Sequence, residues 1–189
     1  GFIFGLNKNS SHEYILEKEN ELYGDIDKGD FHEHYDNLTR KSLLGLKWVN
    51  RFCPQAKFVV KCDDDIMMNI PYVEDAIATV PNISNFSIVG LTRPRDRIKR
   101  AGHWSMHLFE IPGTFYPTHE PGVMYIFSAD IVKPLLDMSE YIPWNKVDDT
   151  YITGILGKAI GVNHRVYKGF HAKHWKVIGT TCDIVNGRM

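Results

Sequence analysis

The chain has 189 residues, 43% of them hydrophobic and 24% charged, which suits one globular domain. Its 22 basic and 23 acidic side chains leave a formal net charge of −1, so it carries no broad basic field for nucleic acid and no acidic tail. No apolar run approaches the ~20 residues that span a bilayer, and the opening GFIFGLN reads like a strand already under way, with no charged n-region or cleavage site of a signal peptide visible. Gly1 to Leu6 reads as a buried strand, and residues 8 to 21 as a polar stretch that Tyr14, Ile15 and Leu22 turn into a helix. YGDIDKGDF, with Gly24 and Gly29, reads as a turn. Phe31, Tyr35, Leu38, Ser42, Leu46, Val49 and Phe52 recur at steps of three and four, which predicts an amphipathic helix ending at Cys53-Pro54.

Further on, Phe58 to Cys62 reads as a core strand and Pro71 to Val80 as a short helix with proline in its first turn. Phe86 to Leu91 is apolar enough for a second buried strand, and residues 92 to 121 form a long irregular segment or an edge hairpin. Val123 to Phe127 is strand-like and Ala129 to Met138 helix-like; Thr150 to Ile160 predicts a helix and Arg165 to Phe170 a strand. Helices alternating with short apolar runs argue for an α/β sandwich around a mostly parallel sheet, as a single domain over residues 1–189.

The strand FVVKC runs straight into Asp63, Asp64 and Asp65. In open α/β sheets the carboxyl ends of strands are where ligands bind. Three adjacent carboxylates repel one another unless a cation sits among them. Alternation along a strand places Asp63 and Asp65 on one face and Asp64 on the other. Two hard oxygen ligands with open positions suit Mn²⁺ or Mg²⁺. Zn²⁺ fits less well, because no His-x-His or Cys-x₂-Cys partner stands nearby. The plain alternative is a solvated turn whose acids cap the next segment. Lys61, just before the triplet, either balances charge or sits near a diphosphate.

A second acidic pair, Asp148 and Asp149, stands in WNKVDDTYITGIL. Aspartate before a helix caps it and is stabilised by the helix dipole. A carboxylate held there can also act as a general base towards a hydroxyl. The residues alone leave both readings open.

Taken together, Glu21, the run YGDIDKGDFHEHYDNLTRKSLLGLKWVNRFCPQAKFVVKCDDDIMMN, FYPTHEPGVMYIFSAD and VDDTYITG resemble the β-1,3-galactosyltransferase family. That family also includes β-1,3-N-acetylglucosaminyltransferases. The resemblance runs from about Phe2 to Trp175. It implies a GT-A-type, Rossmann-like α/β sandwich with a central mixed sheet, here expected to lack its first and last strands. It further implies transfer of galactose or an N-acetylhexosamine from a UDP-sugar to a glycan hydroxyl in β-1,3 linkage, with inversion. By the same resemblance Asp63 and Asp65 hold Mn²⁺ or Mg²⁺ and the UDP diphosphate, and Asp64 contacts ribose or donor sugar. Asp149 is the base, supported by Asp148. Trp104, Gly122, Met124 and Tyr125 fall at the donor or acceptor pocket. The implied partners are UDP-galactose or a UDP-N-acetylhexosamine and a glycan on a glycoprotein or glycolipid. The implied setting is the Golgi lumen, with a type II membrane anchor outside this sequence.

The pattern is broken in places. Met124 stands where the family has a second glycine, and His119-Glu120-Pro121 replaces a segment that carries a cysteine. These departures keep a second reading in view, a divergent or truncated relative that binds a UDP-sugar without turning it over. A third is a metal-dependent phosphodiesterase. His171 and His174 in GFHAKHWK are candidates for a further metal ligand, Trp144 for a sugar platform or core packing, and Cys53 with Cys182 for a disulfide, leaving Cys62 buried and free. Of four N-x-[ST] sequons, at Asn9, Asn37, Asn82 and Asn85, the last two lie in a loop and suit glycan attachment best.

Overall fold

The structure, a computed structural model, describes residues 1–167 and Phe170. It is an α/β arrangement with a mixed sheet. Strand β1 (Phe2–Leu6) pairs in parallel with β2 (Ile26–His32), and helix α1 (Ser10–Tyr23) connects them. Asn9 caps α1 by accepting from the Ser11 N–H, and no residue of the helix is buried. The segment read as a turn is therefore mostly strand. Its acids and glycines hid it, yet Gly29 is needed inside it: a Cβ there would sit 2.8 Å from Leu44 and still closer to the Phe31 ring. β1 is also less buried than its composition implies, with only Gly5 enclosed, because its one strand partner among the described residues is β2.

The main sheet has the order β3-β5-β4-β6, from β3 (Phe58–Cys62), β4 (Ser87–Gly90), β5 (Met124–Ser128) and β6 (Asn163–Val166). β5 runs antiparallel to both β3 and β4, while β4 and β6 are parallel. The sheet is mixed, as expected. Two of its three pairings are antiparallel rather than mostly parallel, because the chain between β4 and β5 returns as an extended excursion instead of a crossover helix.

Side chains alternate across this sheet and feed two cores. Ile88, Tyr125 and Phe127 pack with Leu46 of α2 (Leu38–Phe52), Leu135 of α4 (Val132–Ser139) and Tyr151, Ile152 and Leu156. Val89 and Ile126 pack on the other side with Val73 and Ala76 of α3 (Ile70–Thr79), Ile83 and Phe170. Residues 92–121 are irregular, joined by isolated antiparallel bridges Arg93–His119 and Arg97–Phe115, with a small core of Ile98, Met106, Ile111 and Tyr116. The Arg100 guanidinium stitches this segment by donating to the carbonyls of Met106, Ile111 and Gly113.

The helix expected over 150–160 is π-helical at Thr150–Leu156 and becomes α5 only at Gly157–Ile160. Thr153 Oγ donates to the Asp149 carbonyl at 2.6 Å, and side-chain bonds of this kind compete with the regular ladder. Short π-helical stretches are frequent at functional sites. The last strand begins earlier than expected, at Asn163, because Gly161 turns the chain with φ +75 and leaves Asn163 opposite Ser87. No described helix is long and apolar enough to cross a membrane.

Candidate active site

Asp63 leaves the end of β3 at the carboxyl edge of the sheet, where its N–H donates to the Val123 carbonyl at 3.1 Å. The strand stops there, and Ile66 N–H reaches back to the Asp63 carbonyl across a turn. Asp64 and Asp65 are exposed on that turn, so the alternation of the strand does not continue through them. Asp65 nonetheless lies near enough for its charge to push the Asp63 carboxyl up.

Lys61 and Tyr125 face each other across β3 and β5, on the same side as Asp63. The Lys61 ammonium donates to Asp63 Oδ1 and to the Gly122 carbonyl, each at 2.6 Å, and lies 3.8 Å from Asp148 Oδ2. It stands 5.6 Å above the centre of the fully buried Tyr125 ring. Burial alone disfavours this ammonium, but Asp148, Asp63 and Asp149 outweigh it and raise its pKa. Burial also pushes Asp63 up, with Lys61 pulling the other way.

The second acidic pair comes to the same place from the start of the π-helical stretch. Asp148 is buried and accepts from Ser42 Oγ of α2 at 2.7 Å. Asp149 Oδ2 accepts from the Gly122 N–H at 2.8 Å and Oδ1 from the Thr150 N–H at 2.6 Å. Gly122 therefore serves both sides of the site, its carbonyl to Lys61 and its N–H to Asp149. Burial first, and then the neighbouring Asp148 charge, push Asp149 above the usual carboxylate range; His119 and the two N–H donors offset part of this. Capping and base chemistry are compatible here, since one carboxylate caps the helix start and still carries a raised proton affinity.

An aromatic rim flanks the acids. The Trp104 indole donates to the Tyr35 hydroxyl at 2.6 Å, the Tyr35 and His103 rings lie 4.3 Å apart, and the Lys99 ammonium sits 4.2 Å over Trp104. Burial and the charges of Asp148, Asp149 and Asp63 raise the Tyr35 hydroxyl, with the Trp104 bond opposing, so that hydroxyl feels the field of the acidic cluster. Tyr116 is pushed up to about 12 by burial and by Asp149.

The structure thus brings Lys61, Asp63, Gly122, Tyr125, Asp148 and Asp149 together, with Trp104 at the rim. Met124 points to the opposite face, against the α3 core, and Asp64 stays on the exposed turn. Trp144 is a surface residue under Arg40, and Cys62 is exposed rather than buried. His171, His174 and Cys182 lie outside the described residues. Sequence reasoning missed Tyr35, Ser42 and Tyr116 as site residues. A serine inside an otherwise apolar helical stripe was the available signal for Ser42; Tyr35 sat in the same stripe without one.

Among the described residues no group of three or more His, Cys, Asp or Glu side chains is arranged to hold a metal by itself. The donor chemistry still fits a hard divalent ion. Asp63 and Asp65 offer carboxylate oxygens only, and Mn²⁺ or Mg²⁺ takes one or two carboxylates together with water and substrate phosphates.

Residues 1–168 match the galactosyltransferase family. The chain is 31% identical over 152 residues to beta-1,3-galactosyltransferase 5 of Pan paniscus, covering 80% of this chain and 50% of that protein. The Homo sapiens protein of the same name is 30% identical over 152 residues, 80% of this chain and 49% of that one. Beta-1,3-galactosyltransferase 1 of Mus musculus is 30% identical over 184 residues, 96% of this chain and 55% of that protein. A mixed α/β sheet with paired acidic motifs at its carboxyl edge, matched over this length, makes the chain a member of the galactosyltransferase family. It spans about half the length of the curated relatives it matches.

Proposed function

We propose that this protein transfers galactose from UDP-galactose to a glycan hydroxyl in β-1,3 linkage, inverting the anomeric carbon. An N-acetylhexosamine donor is the variant reading. The observation that carries the proposal is Asp149. Its carboxylate is fixed by two backbone N–H groups, raised by burial and Asp148, and set beside the acids that end β3.

In this mechanism ionised Asp149 accepts the proton of the acceptor hydroxyl as that oxygen bonds to the sugar C1. The bond from C1 to the β-phosphate oxygen breaks on the opposite side, and UDP leaves with the electron pair. No covalent nucleophile is needed. Asp63 and Asp65 would hold Mn²⁺ or Mg²⁺, which supplies charge neutralisation to the departing diphosphate. Lys61 keeps Asp63, Asp148 and the Gly122 carbonyl in register. Trp104 and Tyr35 offer an aromatic wall for a pyranose ring at the rim. The sequons, the exposed Asn82 and Asn85 among them, support a secretory and Golgi setting.

One observation favours the second reading, a UDP-sugar-binding relative that does not turn over: the Lys61 ammonium already balances Asp63. A panel of UDP-Gal, UDP-GlcNAc and UDP-GalNAc against Gal- and GlcNAc-terminated acceptors, with Mn²⁺, separates the two. Acceptor-dependent UDP release with one donor supports transfer and identifies the sugar. UDP binding without release across the panel supports the second reading, and release of UMP points to a phosphodiesterase.

A further inference from the structure

Outside the acidic cluster the least expected side chain is Glu120. It is wholly buried, at 0% exposure. Its Oε1 accepts from Thr92 Oγ at 2.7 Å and lies 3.1 Å from His164 Nδ1 of β6. Its Oε2 has no hydrogen-bond partner among the described residues. That oxygen fills the space over Gly90, where a Cβ would come within 2.7 Å of it. Burial raises the Glu120 carboxyl, with His164 and Thr92 opposing. A buried carboxylate with one unpaired oxygen costs stability, and an apolar side chain would fill the same volume without that cost. Packing alone does not account for it.

The backbone around Glu120 leads directly to Asp149. The Glu120 N–H donates to Thr153 Oγ at 2.9 Å, and that hydroxyl donates to the Asp149 carbonyl at 2.6 Å. Two residues on, the Gly122 N–H holds the Asp149 carboxylate at 2.8 Å. The main chain and the side chain of Asp149 are thus both fastened to the loop 120–122, and the Glu120 carboxylate ties that loop to the end of β4 and to β6.

We propose that Glu120 is a positioning residue for Asp149, anchoring through Thr92 and His164 the loop whose Gly122 amide orients the carboxylate. The inference rests on Asp149 being the base, as proposed above, and its test has a readout that does not need turnover. Hydrogen exchange at the Gly122 amide is measured by NMR on ¹⁵N-glycine-labelled protein. Mn²⁺-dependent UDP release from UDP-galactose is measured alongside. Glu120→Ala is expected to speed Gly122 exchange by about tenfold or more, since the amide loses a fixed partner. It is expected to lower kcat about 10–100-fold with KM for UDP-galactose nearly unchanged, the signature of a misplaced base. Glu120→Gln, which keeps an acceptor for Thr92, is expected to restore both.

Wild-type Gly122 exchange in Glu120→Ala overturns the inference, and so does faster exchange with unchanged kcat. If Glu120→Ala does not fold, Thr92→Val removes one anchor without emptying the site, and unchanged Gly122 exchange there overturns it equally. A wild-type protein that releases no UDP contradicts the transferase reading alone, because Gly122 exchange still decides whether Glu120 holds Asp149.

Discussion

Asp149 and Lys61 both hold their protons more tightly in the folded protein than when free. A base works only when ionised, and Asp149 has its pKa raised by burial and by Asp148. Transfer should therefore fall as pH drops through a value above the ordinary carboxylate pKa of about 4. The check is the acid limb of kcat against pH. A limb at or below that ordinary value contradicts the assignment. For stability the sign follows from the same shift. The native state holds the Asp149 proton more tightly than the unfolded chain, so its favourable contribution is present at low pH and lost as pH rises through the folded pKa. Lys61 is also raised, by Asp148, Asp63 and Asp149 against the cost of burial. Its contribution is fully present below the unfolded lysine value of about 10.4 and is lost only as pH rises through the higher folded value. Lys61→Met should thus lower stability at neutral pH by about 1–3 kcal/mol, because it leaves Asp63 and Asp148 without their ammonium. A urea midpoint unchanged at pH 7 would show that the ammonium is not holding the site together.

The elements that carry these residues were legible to different degrees. α2, β3, α3, β4 and β5 follow from hydrophobic periodicity and from Pro54 and Pro71, signals that act over a few residues. β2 did not, because Asp25, Asp27, Asp30 and two glycines look like a turn until pairing with β1 satisfies their backbone. The π-helical stretch was invisible for a related reason: TYITGIL has the same apolar spacing whichever ladder it forms. The acids were legible from their position at a strand end and a helix start. Their grouping with Ser42, Tyr35 and Gly122 was not, because it depends on contacts between distant segments. α2 is one such link. Thr39 Oγ donates to the Asn145 carbonyl at 2.5 Å, and Ser42 holds Asp148 one turn later. Thr39→Val keeps the shape of the side chain and removes that donor, so it should cost about 1–3 kcal/mol in urea unfolding. A cost near zero would mean that α2 is not fastened to the loop before Asp148.

Across the whole molecule stability is uneven. β4 and β5 lie between two cores, with Ile88, Val89, Tyr125 and Ile126 at 0% exposure, whereas α1 buries nothing and leaves Tyr14, Ile15, Leu22 and Tyr23 exposed. Amides of α1 should exchange with solvent well before those of β4 and β5; equal protection would contradict this division. The gradient places the candidate site where the rigid sheet edge meets the irregular 92–121 segment, so that fixed carboxylates face a rim of long side chains. The central claim, that these carboxylates perform sugar transfer with Asp149 as base, is tested most directly by acceptor-dependent UDP release from UDP-galactose with Mn²⁺, comparing the wild-type protein with Asp149→Asn. The account predicts turnover in the first and a loss of about 10²–10⁴-fold in the second. Asp149→Asn turning over at the wild-type rate would contradict it.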